Sequence, residues 1–145
     1  MRDYHAGETL NQRPVMRIFL VAAILFLAAC KSSPFIETSE RVKSKVKTFE
    51  DVVRWGALEK MYYFQKVDPQ NPPEIPPGLD NVRVTSYEIG VPLNETAPNR
   101  WTQTVVIGYV LTDRQVVRQL VDYQVWVSDN DGQSWYRETP VPEFR

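Results

Sequence analysis

The sequence predicts an α+β fold in which one long helix packs on a curved four-stranded antiparallel sheet, after a short apolar leader. Three observations carry this expectation. Apolar residues recur at helical spacing between 49 and 65. A stretch with five prolines, residues 68–81, separates that run from the rest of the chain. Beyond it lie four segments of β-branched and aromatic residues with period-two alternation. One helix followed by a run of strands separates helix from sheet, and the sheet then hides its apolar face on the helix.

The leader comes first in the chain. Ile18 to Ala29 is apolar for twelve residues after Arg17. As a helix it would reach about 18 Å, well short of the ~30 Å hydrocarbon core of a bilayer. A positive residue, a short apolar run and small residues at its end describe a secretory signal peptide over residues 1–29. Asp3 and Glu8 are foreign to such a segment, and Met16-Arg17 makes a compact start of its own, so Met16 is the expected initiator. Leu27-Ala28-Ala29-Cys30 resembles the lipobox of bacterial lipoproteins. The resemblance implies fatty acylation (palmitate-type chains) of Cys30 after cleavage before it. Several chains together make a firm anchor, where one holds only marginally. Lys31 stands where an aspartate would favour the inner membrane, so the resemblance implies the periplasmic face of the outer membrane.

Residues 30–47 are polar, with Arg41, Lys43, Lys45 and Lys47 close together, and are expected to form a lipidated tether; the alternative is contact of these charges with anionic headgroups. The folded domain is expected over 48–145. Thr48-Phe-Glu-Asp51 resembles a capping box, which starts the helix at Phe49. Apolar residues at 49, 52, 53, 57, 61 and 64 share one face, and Trp55, Leu58 and Tyr62 form a second buried stripe. Gly56 in the middle disfavours helix by about 1 kcal/mol against alanine, and a close backbone approach is expected there. The prolines of 68–81 exclude helix and favour a stiff extended connector.

The strands are expected at Val82–Val91, Trp101–Thr112, Gln115–Ser128 and Ser134–Thr139, with 94–100 a loop and Asp113-Arg114 a tight turn. In the second strand Val105, Ile107, Tyr109 and Leu111 share a face. In the third, Val117, Val121, Tyr123, Val125 and Val127 alternate with Arg118, Asp122, Gln124 and Trp126. Hydrophobicity puts the valine set inside and the Arg118 set outside. Ser128-Asp-Asn-Asp-Gly-Gln-Ser-Trp135 resembles the Asp-box of hairpin turns, with Asn130 in place of an aspartate. Gly132 is expected at positive φ, with Trp135 covering the hairpin. A calcium loop fits less well, because Val127 takes the first ligand position and no helices flank it.

The chain beyond the leader is 116 residues, enough for one domain. Setting aside Arg2, Arg13 and Arg17 with Asp3 and Glu8 leaves 14 basic and 16 acidic residues, a net charge of −2. That balance does not favour nucleic acid as a partner. The single histidine, His5, lies in the leader, and the single cysteine is the acylation site. The domain then lacks the residues for Ser-His-Asp or Cys-His catalysis and for most zinc sites. No phosphate loop or nucleophile elbow is present. No cofactor, metal site or catalytic set is therefore expected, and paired carboxylates such as Asp122 and Glu88 are the residual hydrolytic reading.

Residues 52–64 (VVRWGALEKMYYF) and 116–144 (VVRQLVDYQVWVSDNDGQSWYRETPVPEF) resemble small proteobacterial lipoproteins of unknown function. The element layout is similar to cystatin-like and SnoaL-like cones. The resemblance implies the architecture and the location and brings no activity; the anchor, the missing catalytic residue types and the exposed strand chemistry point to a module that is not an enzyme and binds another envelope protein. Arg118, Asp122, Gln124 and Trp126 are the candidate interaction surface, or simply a solvated face. The alternative function is a small-ligand binder with Tyr87, Tyr109 and Tyr123 as pocket walls, unless these rings only pack the core.

Overall fold

The computed structural model describes residues 34–145; the expected signal peptide, the expected start at Met16 and the expected acylation site Cys30 lie outside the described residues. Helix α1 (Pro34–Arg54) is followed by a 3-10 segment, Leu58–Phe64, and a single 3-10 turn, Leu79–Asn81. Strands β1 (Val82–Ala97), β2 (Arg100–Leu111), β3 (Val116–Val127) and β4 (Tyr136–Arg137) then form one open antiparallel sheet in chain order. This is the α+β arrangement of one helical region on a four-stranded sheet.

Helix α1 starts well before Thr48, so residues 34–47 belong to the domain and are not a tether. Proline suits the first helical position, where no N–H is needed. Val42, Val46, Phe49 and Val53 recur at i, i+4, i+7 and i+11, and all are buried. The charges between these residues line the solvent side as ion pairs: Arg41 with Glu37, Lys43 with Glu40, Lys47 with Glu50 and Asp51, and Arg54 with Glu50. Two valines among four basic residues are enough to define the buried stripe. Thr48 therefore lies mid-helix, on its exposed side, and is not a cap: its hydroxyl donates to the Ser44 carbonyl at 2.9 Å.

The expected continuous helix to residue 65 breaks at Gly56. The Gly56 N–H donates to Val53 O at 3.3 Å and the Ala57 N–H to Val52 O at 3.1 Å. These two bonds are the Schellman pair, and Gly56 has the positive φ, 76°, that the motif requires. A methyl group built on Gly56 would meet nothing within 4 Å, so backbone conformation, not close approach, calls for glycine here. Trp55 is thrown outward at this corner and is 84% exposed, contrary to the expected stripe. Leu58, Met61, Tyr62 and Phe64 stay buried because the chain re-enters the core as the 3-10 segment.

Strand β1 runs on through 94–97, where a loop was expected, and Ala97 pairs with Arg100. The two-residue link Pro98-Asn99 makes this feasible: proline presets the first corner, and Asn99 accepts φ 59° at the second. Strands β2 and β3 pair without interruption from Arg100↔Val127 to Leu111↔Val116. The turn between them holds Gln115 at φ 53°, its N–H donating to Leu111 O at 2.7 Å. The fourth strand is only two residues long, shorter than expected, and prolines follow it.

The register fixes which face of β3 is inside, and it reverses the expected side-chain directions, although Val125 and Val127 at the far end are buried as expected. Val105 and Ile107 of β2 are fully buried, and they stand opposite Asp122 and Leu120. Directly paired residues share a face. Arg118, Asp122, Gln124 and Trp126 therefore point to the core side, while Val117, Val121 and Tyr123 point outward. Trp126, Phe49 and Phe64 form an edge-to-face cluster with centroids 5.2 to 6.2 Å apart. The large ring of Trp126 takes the central place in the core, and a valine there would leave it unfilled.

Candidate functional site

Putting Asp122 inside requires a partner, because an unpaired buried carboxylate is strongly unfavourable. Arg137 supplies it. Its Nη1 and Nη2 donate to the two Asp122 oxygens at 2.9 and 2.5 Å, with both side chains almost wholly excluded from water. The rest of the guanidinium is used on the chain after β4: Nε donates to Thr139 O at 3.1 Å and Nη2 to Pro140 O at 2.7 Å. Its face lies 5.0 Å from the centroid of Phe49. Gln124 completes the network. Its amide nitrogen donates to Asp122 and to the Tyr87 hydroxyl, and its oxygen accepts from Gln103 and from the Trp126 indole. Burial pushes the Tyr87 hydroxyl well above its ordinary pKa, and the neighbouring Asp122 charge adds to the rise.

Of the four residues expected to form an interaction surface, Asp122, Gln124 and Trp126 are thus buried network or core groups. Arg118 is half-buried, with its guanidinium donating to the Arg145 main-chain oxygen at 2.6 Å. Asp122 and Glu88 do not form a carboxylate pair, because Glu88 pairs with Val106 on the opposite face. The three tyrosines do not converge either. Tyr87 and Tyr109 are buried on the core side, and Tyr109 bonds the Arg145 main chain and packs on Phe144. Tyr123 lies on the outer face.

Two surface features were not anticipated. The first is a groove of about 610 Å3 between the proline-rich connector and the C-terminal segment, lined among others by Tyr62, Pro76, Pro77, Pro142 and Phe144. Its signal in the sequence was the density of prolines on both sides. The second is the outer face of β3. Val117, Val121 and Tyr123 stand there 72%, 69% and 56% exposed, in one row. No described element covers them.

The turn after β3 behaves as its residues require. Asn130 takes the central role: its side-chain oxygen accepts from the Ser134 N–H at 2.9 Å and from the Ser128 hydroxyl, and its nitrogen donates to Ser134 Oγ. Gly132 lies at φ 76° and the Trp135 indole donates to its carbonyl at 3.2 Å. Asp129 is engaged by Lys66 at 2.7 Å, which holds its carboxyl below the ordinary range. Among the described residues no group of three or more acidic, histidine or cysteine side chains is placed to hold a metal. No described helix is long and apolar enough to cross a membrane.

Comparison with family models, with curated proteins and with solved structures returns no match to this chain.

Proposed function

We propose that this chain is a lipid-anchored protein of the bacterial envelope, on the periplasmic face of the outer membrane. In this reading its domain, a cystatin-like cone, binds a protein partner and catalyses nothing. The observation that carries the binding role is the uncovered row Val117, Val121 and Tyr123 on a regular edge strand, since exposed apolar rows of this kind are where partners dock. The anchor rests on the Leu27-Ala28-Ala29-Cys30 sequence. Pro34, where the described domain begins, is four residues from Cys30, so an anchor at Cys30 would keep the domain within about 14 Å of the bilayer.

Intact-mass measurement of the protein extracted from its native membrane tests the anchor. The expected species begins at an acylated Cys30. A species with Cys30 unmodified and the leader attached would remove the anchor from the proposal. A photo-crosslinking residue at Tyr123 tests the binding face: a discrete adduct is expected there and none at Glu59. The groove supports a second reading, a binder of an extended apolar ligand, because aromatic and proline side chains line both of its walls.

A further inference from the structure

We infer that the partner of the β3 edge is a second copy of this chain, paired antiparallel through residues 117–123 about a two-fold axis at Leu120. The inference goes beyond the binding-face reading above: it uses the backbone edge of the same strand and leaves the outer row open.

The two edges of the sheet differ. Strand β1 is broken by four register irregularities and carries Pro92, features that keep foreign strands from adding. Strand β3 has neither an irregularity nor a proline. Its outward-facing backbone groups can be assigned from the bonds at its far end. The Val125 N–H donates to Thr139 Oγ1 at 3.2 Å, and Val125 O accepts from the Glu138 N–H at 2.8 Å. Both groups of Val125 therefore face away from β2. With period two, so do those of 117, 119, 121 and 123, and none of these has a backbone partner beyond the sheet among the described residues. Gln115 is already bonded to Leu111 and Val125 to the β4 side, so the open span is 117–123, symmetric about residue 120.

That symmetry fits a second copy. Antiparallel pairing of this span with itself matches 117 with 123 and 119 with 121, in both directions. It uses every open donor and acceptor once and joins the two sheets into one. In this register Val117 lies beside the partner copy's Tyr123 on the outer face, extending the apolar row across the junction. Moving the axis two residues, to 118, sets Arg118 against Arg118 and exhausts the span early. The open backbone groups thus select the register about residue 120.

The test uses the full chain in detergent with Cys30→Ser, so that acylation plays no part and its failure would not be mistaken for failure here. Leu120→Cys then places the sole cysteine on the axis, where Cα separation suits a disulfide. Oxidation is expected to give a covalent dimer at least about tenfold faster than the same experiment with Arg83→Cys on the β1 edge. Val121→Pro removes one outward N–H that no described group uses, and Val121→Lys leaves the backbone intact. Each is expected to slow the Leu120→Cys cross-link about tenfold or more. Equal cross-linking at 83 and 120, or a rate indifferent to both Val121 substitutions, would overturn the inference. Sedimentation without any introduced cysteine gives a separate check: a dimer that Val121→Lys converts to monomer supports it, and a monomer throughout contradicts it.

Discussion

Asp122 shows how one residue can decide the orientation of a strand. Its carboxylate is buried, and its two oxygens are held by Arg137 and Gln124. Removing one member of a buried pair strands the other, at a penalty of about 3–5 kcal/mol. Arg137→Leu is therefore expected to lower unfolding free energy by that amount in urea titration, and more than the double variant Asp122→Leu/Arg137→Met. Tyr87 makes a second prediction. Its pKa is raised in the folded state, so its contribution is complete below the ordinary tyrosine value of about 10 and is lost as pH rises above it. The melting temperature should fall more steeply between neutral and strongly alkaline pH for the natural chain than for Tyr87→Phe. Neither role was legible from alternation. The valines at 117, 121, 125 and 127 outweighed one aspartate and one glutamine in any hydrophobic pattern. What reversed the parity was Arg137, fifteen residues further on and on another strand, which only the folded register brings to Asp122.

At the scale of elements, termini and turns carry the specificity. Gly56 ends α1 in a left-handed conformation, in open space. Gly56→Ala should therefore destabilise by the conformational penalty alone, about 1–2 kcal/mol. Gly132 has the same sign of φ, but a methyl group there would lie 2.4 Å from Thr38 on α1, so Gly132→Ala should cost clearly more in the same denaturant titration. The chain just after β4 is held to β2 by the Arg100 guanidinium, which donates to both oxygens of Glu138 at 3.1 and 2.5 Å. That pairing holds the Glu138 carboxyl below its ordinary value. The tie is complete at neutral pH and fades as pH falls through the lowered value. A carbon-detected NMR titration should find the Glu138 midpoint below about 4.3, and Arg100→Ala should bring it back up. The Ser128–Trp135 turn was readable because its chemistry is local: hydroxyl, amide and glycine sit within five residues of one another. The start of α1 was not, because Val42 and Val46 announce a buried stripe only once the sheet lies against them.

The described domain is a sheet packed along one side and open on the other only where Val117, Val121 and Tyr123 stand. Helix α1, the 3-10 segment and the C-terminal residues supply the core side, where Val42, Phe49, Leu58, Met61, Ile107 and Trp126 are buried. That open part exposes Val117, Val121 and Tyr123, which would be a liability unless something covers them. Lipid attachment at Cys30, a few residues ahead of α1, would confine copies to a plane and raise the local concentration at which weak edges meet. The architecture was legible from the order of one helical run, one proline-rich crossover and a series of strands. Which side of the sheet faces the core was not, and the proposed partner surface depends on that choice. It can be measured by thiol labelling of the folded full chain carrying Cys30→Ser with either Val121→Cys or Val105→Cys. The account predicts rapid reaction at 121 and reaction at 105 only after unfolding. Protection of 121 to the level of 105, in protein shown to be monomeric, would place the valine row inside and contradict it.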